Sequence, residues 1–392
     1  MSVPAALPAR VYMDANATTP VAPEVVQAML PFFSEHYGNA SSIHLDGQQS
    51  RTAVDRARSI LAAFFHCRDA EVVFNSGGTE GDNNALFGIL RPGDHLITTA
   101  IEHSAVLQPA HRLAERGVQV TFLAPDSSGL ISAASVQAAL QPNTRLVSVM
   151  LANNETGVLQ PIEEIGEVCR TAGVFFHIDA VQGAGKVPFD VQRFGCHLLS
   201  ISAHKMYGPK GVGALYVRRG TPVESLILGG THERRHRAGT VNTPGIVGLG
   251  RAAELATDAL ASGAMDRVAR LRDRLEAGIL AIPGTTANGA QAHRVANTTN
   301  ISFDRLEGEA LVIALDLKGI AVSGGSACHS GATEPSHVLM AMGLDRPRAL
   351  ASLRFSLLKT ATDADVDRVL AILPEAVQRL RTLSPIEAGT LA

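Results

Sequence analysis

The chain has 392 residues, of which 46% are hydrophobic and 18% are charged, and its formal net charge is −3. This length predicts roughly two to three domains, and a nearly balanced charge gives no electrostatic basis for binding nucleic acid or an anionic membrane. The first residues contain no apolar run typical of a signal peptide or a transmembrane helix, so we expect a cytoplasmic protein.

From about residue 50 to residue 255, short apolar runs alternate with helical patterns. Most runs are almost continuously apolar, which is typical of strands covered by helices on both faces. The alternation predicts an α/β fold with a mostly parallel sheet of seven strands. The predicted strands are residues 71–75, 95–100, 119–124, 145–151, 174–180, 198–203 and 212–218. Ligands of such sheets bind beyond the carboxyl ends of the strands.

The pattern after the last of these strands is mixed. A long helical stretch over residues 244–281 is followed by a strand at 298–303, a helix around 308–319, a strand at 353–357 and a final helix near 362–383. This order predicts a smaller α+β domain. We place the boundary near residue 255, so that 16–255 form the large domain and 1–15 with 256–392 form the small one.

Lys205 directly follows the predicted strand 198–203, where a ligand is expected. A lysine forms a Schiff base with a carbonyl cofactor when its amine is accessible and partly desolvated. The alternative is a surface lysine that begins a turn, which is the more common case for a lysine considered alone. The neighbouring strand ends favour the first interpretation.

Asp179 ends the apolar run 174–180, also at the carboxyl end of a strand. A lone acid there is often only the N-cap of the next helix. Pyridoxal 5'-phosphate, however, needs a carboxylate that keeps its pyridine nitrogen protonated. Gln182 is close enough in sequence to reach the same ring.

Gly77, Gly78 and Thr79 follow the strand 71–75 and begin a helical pattern. Glycines let a backbone approach a phosphate, and a helix N-terminus offers free N–H donors. An ordinary turn between a strand and a helix is the alternative. Ser202 and His204, which flank Lys205, are candidates to add side-chain donors.

His103 lies just after the strand 95–100. It is either a histidine at a helix start with no further role, or one that stacks on an aromatic cofactor and moves protons near neutral pH. The sequence alone leaves both interpretations open.

Cys328 lies in a segment, 324–337, that is rich in small residues and is expected to be an exposed loop. A cationic neighbour such as His329 or His337 would lower its pKa and raise its thiolate fraction. A metal site is the weaker alternative, because adjacent cysteine and histidine are not a usual zinc-ligand spacing. The other cysteines, Cys67, Cys169 and Cys196, lie in patterns typical of buried packing residues.

Nine segments together resemble the signatures of the cysteine desulfurase family, in family order and over nearly the whole chain. They are DANATTP (14–20), YGNASSIH (37–44), SGGTEGDN (76–83), EHSAV (102–106), ANNETG (152–157), HIDAVQ (177–182), SAHKMYGPKG (202–211), RAGT (237–240) and SGGSACHSG (323–331). The chain is most similar to the nitrogen-fixation type, with the longer form of the cysteine loop. It departs from the family pattern at Ala15, Ala40, Gly324 and His329.

The resemblance implies a homodimeric enzyme of the fold-type-I pyridoxal-phosphate class, with sites at the subunit interface. In it, Lys205 would form the Schiff base, Asp179 would pair with the pyridine nitrogen and Gln182 with the ring hydroxyl. His103 would stack on the ring and assist proton transfer. The full set of implied cofactor contacts is Gly78, Thr79, His103, Asn154, Asp179, Gln182, Ser202, His204, Lys205 and, from the partner subunit, Thr240.

The same resemblance implies the reaction and its partners. Asn154 and Arg354 would face the carboxylate of L-cysteine, and Cys328 would take its sulfur as a persulfide while L-alanine leaves. An iron–sulfur scaffold or another sulfur-acceptor protein would receive that sulfur, and no metal site is implied. The rivals are a selenocysteine lyase, another class-V transaminase relative, and a scaffold without catalysis that only docks assembly partners.

Overall fold

The structure is a computed structural model of one chain and describes residues 10–188, 190–290, 293–324 and 334–383. The strands are β1 (Val11–Tyr12), β2 (Val72–Asn75), β3 (His95–Thr99), β4 (Gln119–Leu123), β5 (Thr144–Met150), β6 (Phe175–Asp179), β7 (Leu198–Ser202), β8 (Gly213–Val217), β9 (Thr285–Ala287), β10 (Thr298–Phe303), β11 (Ile320–Ala321), β12 (Ser323–Gly324) and β13 (Ser352–Ser356).

Helices cover both faces of the larger sheet and pack on the smaller one. They are α1 (Pro23–Met29), α2 (Pro31–Ser34), α3 (Leu45–Phe65), α4 (Gly78–Ile89), α5 (Ser104–Ala114), α6 (Ala133–Ala139), α7 (Ile162–Ala172), α8 (Val191–Phe194), α9 (Thr243–Ala261), α10 (Ala264–Leu280), α11 (Gly308–Asp316), α12 (His337–Ala341), α13 (Arg346–Leu350) and α14 (Asp363–Leu383). Within the described ranges, no helix is both long enough and apolar enough to cross a membrane.

The large sheet has seven strands in the order β2-β8-β7-β6-β5-β3-β4. Among them β8 runs opposite to the rest, because it pairs antiparallel with both β2 and β7. The α/β class and the mostly parallel sheet are therefore confirmed. Alternate residues of each strand pack into separate apolar clusters, with Ile97 in one and Leu96 in the other, as expected for a sheet covered on both faces.

The strands β3, β5, β6 and β7 are parallel neighbours, so their carboxyl ends meet at one edge of the sheet. The segments that leave this edge carry His103, Asn154, Asp179 and Lys205. The topology alone thus brings together residues that are about 100 positions apart along the chain, such as His103 and Lys205.

A second sheet has four antiparallel strands in the order β12-β13-β10-β9, and β1 pairs in parallel with β11 beside it. The N-terminal segment therefore joins strands from the C-terminal part of the chain, and Asp14 forms a bridge to Ser356. The domain boundary near residue 255 stays a prediction, and α9 runs across that position without a break.

The helical stretch expected over 244–281 is divided into α9 and α10. The break lies at Ser262 and Gly263, and Gly263 has a left-handed φ of 71°, a conformation that glycine adopts without strain. The long helix α3 was not predicted. It packs mainly on α9, so its stability comes from a tertiary contact as well as from its local pattern.

Candidate active site

A cavity of about 580 Å³ opens at the carboxyl ends of the parallel strands. Ten of the predicted site residues line it: Gly78, Thr79, His103, Asn154, Asp179, Gln182, Ser202, His204, Lys205 and Arg354. This volume is within the range of sites for cofactors and small ligands. Thr240 is exposed and does not line this cavity, and Cys328 lies outside the described residues.

Lys205 ends a short 3₁₀ turn that follows β7. Its Nζ atom donates to the backbone oxygens of Asn16 at 2.6 Å and Ala17 at 2.7 Å. Burial, together with the nearby guanidinium of Arg354, lowers the pKa of Lys205 to about 8. The amine is therefore neutral in a sizeable fraction of molecules near pH 8, which makes it a competent nucleophile and base.

Asp179 is the last residue of β6 and is 6% exposed. Its Oδ1 atom accepts a hydrogen bond from the backbone N–H of Val181 at 2.9 Å. Burial raises the pKa of Asp179 to about 7, and the nearby Asp82 raises it as well. A cation beside this carboxylate would offset both effects and lower the pKa again.

Behind Asp179 lie further buried groups that can ionise, and we call Asp82, Glu102, His177 and Asp179 the acidic cluster. Glu102 Oε1 accepts from the Thr99 hydroxyl at 2.8 Å and from the Met150 N–H at 3.0 Å. Its Oε2 atom has no hydrogen-bond partner within the described chain. Burial, followed by the charge of Asp179, raises the pKa of Glu102 well above its usual value.

Asp82 Oδ1 lies 3.5 Å from His177 Nε2, a distance compatible with an ion pair. Burial, however, raises the pKa of Asp82 to about 7 and lowers that of His177 to about 4. Between these values both groups are neutral, so we do not assign an ion pair. The ring of His177 bonds instead to the hydroxyls of Ser148 at 2.8 Å and Ser200 at 3.0 Å.

Gly78 begins α4, and the N-cap residue Gly77 has a φ of 146°. A Cβ atom at Gly78 would lie 2.5 Å from Val181 Cγ2, so a larger residue does not fit without a shift. The first N–H groups of α4 have no acceptor within the helix. Gly77, Gly78 and Thr79 line the cavity, so the N-terminus of α4 lies at the cavity, as an anion site requires.

Glu80 connects this loop to the segment that carries Thr240. Its carboxylate accepts from the Ser76 N–H at 2.8 Å and from Arg237 Nε at 3.0 Å. Burial would raise the pKa of Glu80, but these bonds outweigh it and lower the pKa. Arg237 thus ties the segment before Thr240 to the glycine loop, and a contact of Thr240 with a partner subunit stays a prediction.

His103 is the N-cap of α5, and its Nδ1 atom accepts from the Ala105 N–H at 3.1 Å. His103 therefore caps a helix and also lines the cavity, and its stacking on a cofactor stays a prediction. Burial lowers its pKa, as does the charge of Lys205. With Nδ1 as an acceptor, the neutral ring carries its proton on Nε2.

Arg354 projects from β13, and its side chain is 9% exposed. One Nη atom donates to Asp14 Oδ1 at 2.7 Å and the other to the backbone oxygen of Asn154 at 2.9 Å. Its Nε atom has no hydrogen-bond partner among the described residues. A guanidinium has five N–H donors, so these two bonds leave donors for a substrate carboxylate.

Asn16 lies at the centre of a hydrogen-bond network that the sequence did not reveal. Among the described residues, Asn16 makes seven hydrogen bonds. It donates three: from its backbone N–H to Ser356 Oγ at 3.0 Å, and from Nδ2 to the backbone oxygen of Asn154 at 3.1 Å and to Thr298 Oγ1 at 2.9 Å. It accepts four: at Oδ1 from Lys186 Nζ at 2.7 Å and Asn297 Nδ2 at 3.1 Å, and at its backbone oxygen from Gln182 Nε2 at 2.9 Å and Lys205 Nζ at 2.6 Å. We call Asn16, Gln182, Lys186, Asn297 and Thr298 the Asn16 network. The DANATTP motif contained Asn16 and was the available signal.

The described residues on both sides of the Cys328 segment are attached to cavity-lining elements. Before it, Ser323 pairs with Arg354 in the small sheet. After it, the Ser336 hydroxyl donates to Glu155, and His337 Nε2 lies 2.9 Å from the backbone oxygen of Glu102. Glu155 adjoins Asn154 and Glu102 adjoins His103, so the segment starts and ends next to the cavity.

The other three cysteines have no catalytic character. Cys169 and Cys196 are buried and Cys67 is half-buried. Burial raises the pKa of each to about 12. A thiol with that pKa supplies almost no thiolate near neutral pH, so the prediction that these residues are packing cysteines agrees with the structure.

Comparison with known proteins gives a consistent result. The model of the family "Aminotransferase class-V" matches residues 11–369. "Cysteine desulfurase IscS" of Methanosarcina thermophila is 48% identical over 380 residues, which cover 96% of this chain and 94% of that protein. Among solved structures, a "NIFS-like protein" matches with a TM-score of 0.88 at 37% identity, covering 95% of this chain and 100% of its own. "SspA in complex with cysteine" matches with a TM-score of 0.78 at 36% identity, covering 88% and 98%.

Proposed function

The chain belongs to the class-V aminotransferase family, and we propose that Lys205 holds pyridoxal 5'-phosphate in the cavity while Cys328 receives the sulfur of L-cysteine. The chain is a cysteine desulfurase, an enzyme that converts L-cysteine into L-alanine and a protein-bound persulfide. One observation carries the proposal. A single cavity gathers an amine of lowered pKa, a buried carboxylate and a glycine loop at a helix N-terminus.

The residues of the cavity fit this cofactor. Oδ1 of Asp179 accepts a backbone hydrogen bond, and the pKa of the carboxyl group is raised, so a cationic ring nitrogen beside it would be favourable. A Cβ atom at Gly78 would overlap Val181, which also lines the cavity, and the N-terminus of α4 suits a phosphate. Ser202 and His204 line the same cavity and can add donors to that phosphate.

Pyridoxal 5'-phosphate, when bound, supplies an electron sink for the pair left when the substrate loses its α-proton. The protein residues supply the rest. Lys205 is the base for the α-proton, because its pKa of about 8 is close to neutral pH. His103 lies on the same cavity as a second proton carrier, and Arg354 orients the substrate carboxylate together with Asn154.

Cys328 acts on the substrate sulfur. Its thiolate attacks that sulfur, an S–S bond forms, the Cβ–S bond of the substrate breaks, and the carbon takes a proton to become the methyl group of L-alanine. The attached flanks of this segment support the assignment, since they hold its ends beside Arg354 and Asn154. His337, at the end of this segment, contacts the backbone oxygen of Glu102 through its Nε2 atom.

A homodimer is part of the proposal. Thr240 is exposed on a segment tied to the glycine loop, in a position to serve a neighbouring subunit. Several large apolar side chains are also exposed on the single chain, namely Phe33, Tyr37, Ile43, Leu45 and Leu228. Exposed apolar surface of this kind is typical of protein interfaces. An iron–sulfur scaffold or another sulfur-acceptor protein is the proposed destination of the persulfide.

The test adds free L-cysteine to the purified protein and measures L-alanine and sulfide. The wild type should bind the cofactor with a yellow absorption band and release both products in the presence of a reductant. Lys205→Ala should lose the covalent linkage and the activity. Cys328→Ser should bind the cofactor but release almost no sulfide, whereas Cys67→Ser should behave as the wild type.

Persulfide mapping identifies the nucleophile. After a pulse of L-cysteine, an alkylating reagent followed by mass spectrometry should place the extra sulfur on Cys328. A label on Cys169 or Cys196, or full activity of Cys328→Ser, contradicts the assignment. Faster turnover of selenocysteine than of L-cysteine would instead favour a selenocysteine lyase.

A further inference from the structure

Lys186 is a buried lysine that no predicted role uses. It is 8% exposed, and its Nζ atom donates to Gln182 Oε1 at 2.6 Å and to Asn16 Oδ1 at 2.7 Å. Both partners are neutral amides. Burial lowers the pKa of Lys186 well below its usual value, and the charges of Lys205 and Arg354 lower it further. Among the described residues, Lys186 has no anionic partner, and burial of such an amine lowers the stability of the fold. Its role is therefore to be found in what it does to the two amides that it contacts.

The amide of Gln182 is held in one orientation by two contacts. Its Oε1 atom accepts from Lys186, and its Nε2 atom donates to the backbone oxygen of Asn16 at 2.9 Å. The reversed amide would set Nε2 against the amine of Lys186 and Oε1 against a carbonyl oxygen. The contact between the two oxygens would be repulsive in either protonation state of Lys186, so the hydrogen-bond network assigns the orientation.

This orientation decides what Gln182 offers to the cavity. The Nε2 atom has two hydrogens, and one of them is bound to Asn16. Gln182 lines the cavity, and its second N–H is the donor that the amide has left for a ligand, because the amide oxygen accepts from Lys186.

We propose that Lys186 is a positioning residue, which holds the amide of Gln182 so that an N–H group faces the ring oxygen of pyridoxal 5'-phosphate. This inference rests on the proposed function, because it assumes that the cofactor binds in this cavity. Lys186 also contacts Asn16, whose backbone oxygen accepts from Lys205. Asn16 thus connects Lys186, the positioning residue, with Lys205, the proposed cofactor lysine.

The chemistry gives a spectroscopic signature. An N–H donated to the ring oxygen stabilises negative charge there, and that charge is greatest once the nitrogen linking Lys205 to the cofactor has lost its proton. Loss of the donor therefore raises the pH midpoint of the cofactor's absorption change. The ionisable groups that act on Lys205 or respond to its charge are Asp14, His103, Asp179, Lys186, His204 and Arg354.

Removal of the charge of Lys186 would raise the same midpoint without any help from Gln182. A double-mutant cycle separates the two causes. Lys186→Met should raise the midpoint by about one pH unit, since a hydrogen bond to a charged group is worth about 1.5–3 kcal/mol and one unit is about 1.4 kcal/mol. In a Gln182→Met background, the same change should move the midpoint by less than about 0.3 unit.

The experiment uses the loaded protein and its cofactor-free form. The pH titration of absorbance is run for the wild type, both single variants and the double variant. Cofactor affinity and thermal unfolding are measured on the cofactor-free proteins. Lys359→Met is the matched control, because Lys359 lines the same small cavity as Lys186 but its Nζ atom lies over the ring of Tyr207. Its midpoint should equal that of the wild type.

Each outcome decides the inference. An equal shift in both backgrounds means that Lys186 acts by charge, and an unmoved midpoint with a lowered melting temperature means that it is only structural; either result overturns the proposal. If Lys186→Met does not fold, Lys186→Gln serves instead. Its amide is still a donor, so the pH midpoint should rise by less than in Lys186→Met, and a midpoint equal to that of the wild type overturns the proposal.

The two proposals fail in different ways. A wild type that takes up no cofactor defeats the proposed function itself, whereas cofactor uptake with no change of midpoint in the Lys186 variant defeats only the role of Lys186.

Discussion

Two buried polar regions support the cavity, and they are built in opposite ways. In the acidic cluster, Asp82 Oδ1 and Glu102 Oε2 have no hydrogen-bond partner within the described chain. In the Asn16 network, the backbone N–H, the backbone oxygen and both side-chain polar atoms of Asn16 are all bonded. The first region is therefore sensitive to charge, and the second fixes geometry.

The difference has an energetic meaning. Burial raises the pKa of Asp179 and Asp82 to about 7. Ionisation of these carboxyl groups is therefore unfavourable near neutral pH, and a nearby cation would stabilise the ionised form. The Asn16 network contains no carboxylate, and each polar atom of Asn16 itself already has a partner. Removal of one member leaves several buried donors and acceptors without partners. Three substitutions test this contrast.

Asp179→Asn should have the largest effect. The amide cannot hold a proton on the cofactor's ring nitrogen by charge, so kcat should fall by on the order of 10²–10³, as for the loss of other preorganised electrostatic groups. Steady-state release of L-alanine is the measurement. The exposed carboxylate Asp258 gives the control Asp258→Asn, which should keep full activity. Activity of Asp179→Asn within tenfold of the wild type would contradict the charge-sensitive role of the acidic cluster.

Asn16→Ala should come next, and its main effect should be on stability. Lys186, Asn297 and Thr298 would each lose a buried partner, at a cost of about 2–4 kcal/mol in the free energy of unfolding. Urea unfolding of the cofactor-free protein measures this. Asn39→Ala removes an exposed side chain that accepts from the Ser41 N–H, and it should change the value little. If Asn16→Ala and Asn39→Ala lowered the free energy of unfolding equally, the contacts of the Asn16 network would contribute no more to stability than those of an exposed asparagine.

Asp82→Asn should have the smallest effect, and the effect should depend on pH. The folded-state pKa of Asp82 is raised to about 7 from its ordinary 3.8. Its contribution to stability is therefore complete below pH 3.8 and is lost as pH rises through 7. The asparagine escapes this loss, so the variant should gain about 1–3 kcal/mol at pH 8. Urea unfolding at several pH values should show the gain growing up to pH 7 and then levelling. A gain independent of pH would mean that Asp82 is not ionising.

The sequence predicted the cavity residues that end or follow the parallel strands better than it predicted the Asn16 network, for a physical reason. Apolar runs identified β6 and β7, and the parallel order of a sheet places the residues that follow them at one edge. Asp179 and Lys205 follow from this local signal. Glu102 and Asp82 escaped notice because their burial depends on packing between helices and the sheet.

The DANATTP motif contains Asn16 and HIDAVQ contains Gln182, but no local pattern reveals the contacts that join the Asn16 network. Asn16 meets Asn297 and Thr298 across about 280 positions of sequence, and no periodic pattern reveals such a contact. Lys186 resembles a solvated lysine in sequence, and only the fold shows that it is enclosed. The break between α9 and α10 was missed for a similar reason, since Gly263 interrupts a pattern that is helical on both sides.

The pairing of β1 with β11 has a consequence for how the protein is made. Val11 pairs with Ile320, and the Asn16 N–H bonds to Ser356 about 340 residues later. A ribosome that adds about 5–20 residues per second needs on the order of 20–70 s to synthesise that length of chain. During this time the strand β1 and Asn16 have left the ribosome without their partners. The seven-stranded sheet can form before synthesis ends, but the backbone oxygen that anchors Lys205 is fixed only after β13 emerges, so we expect the surroundings of Lys205 to be completed only at the end of translation.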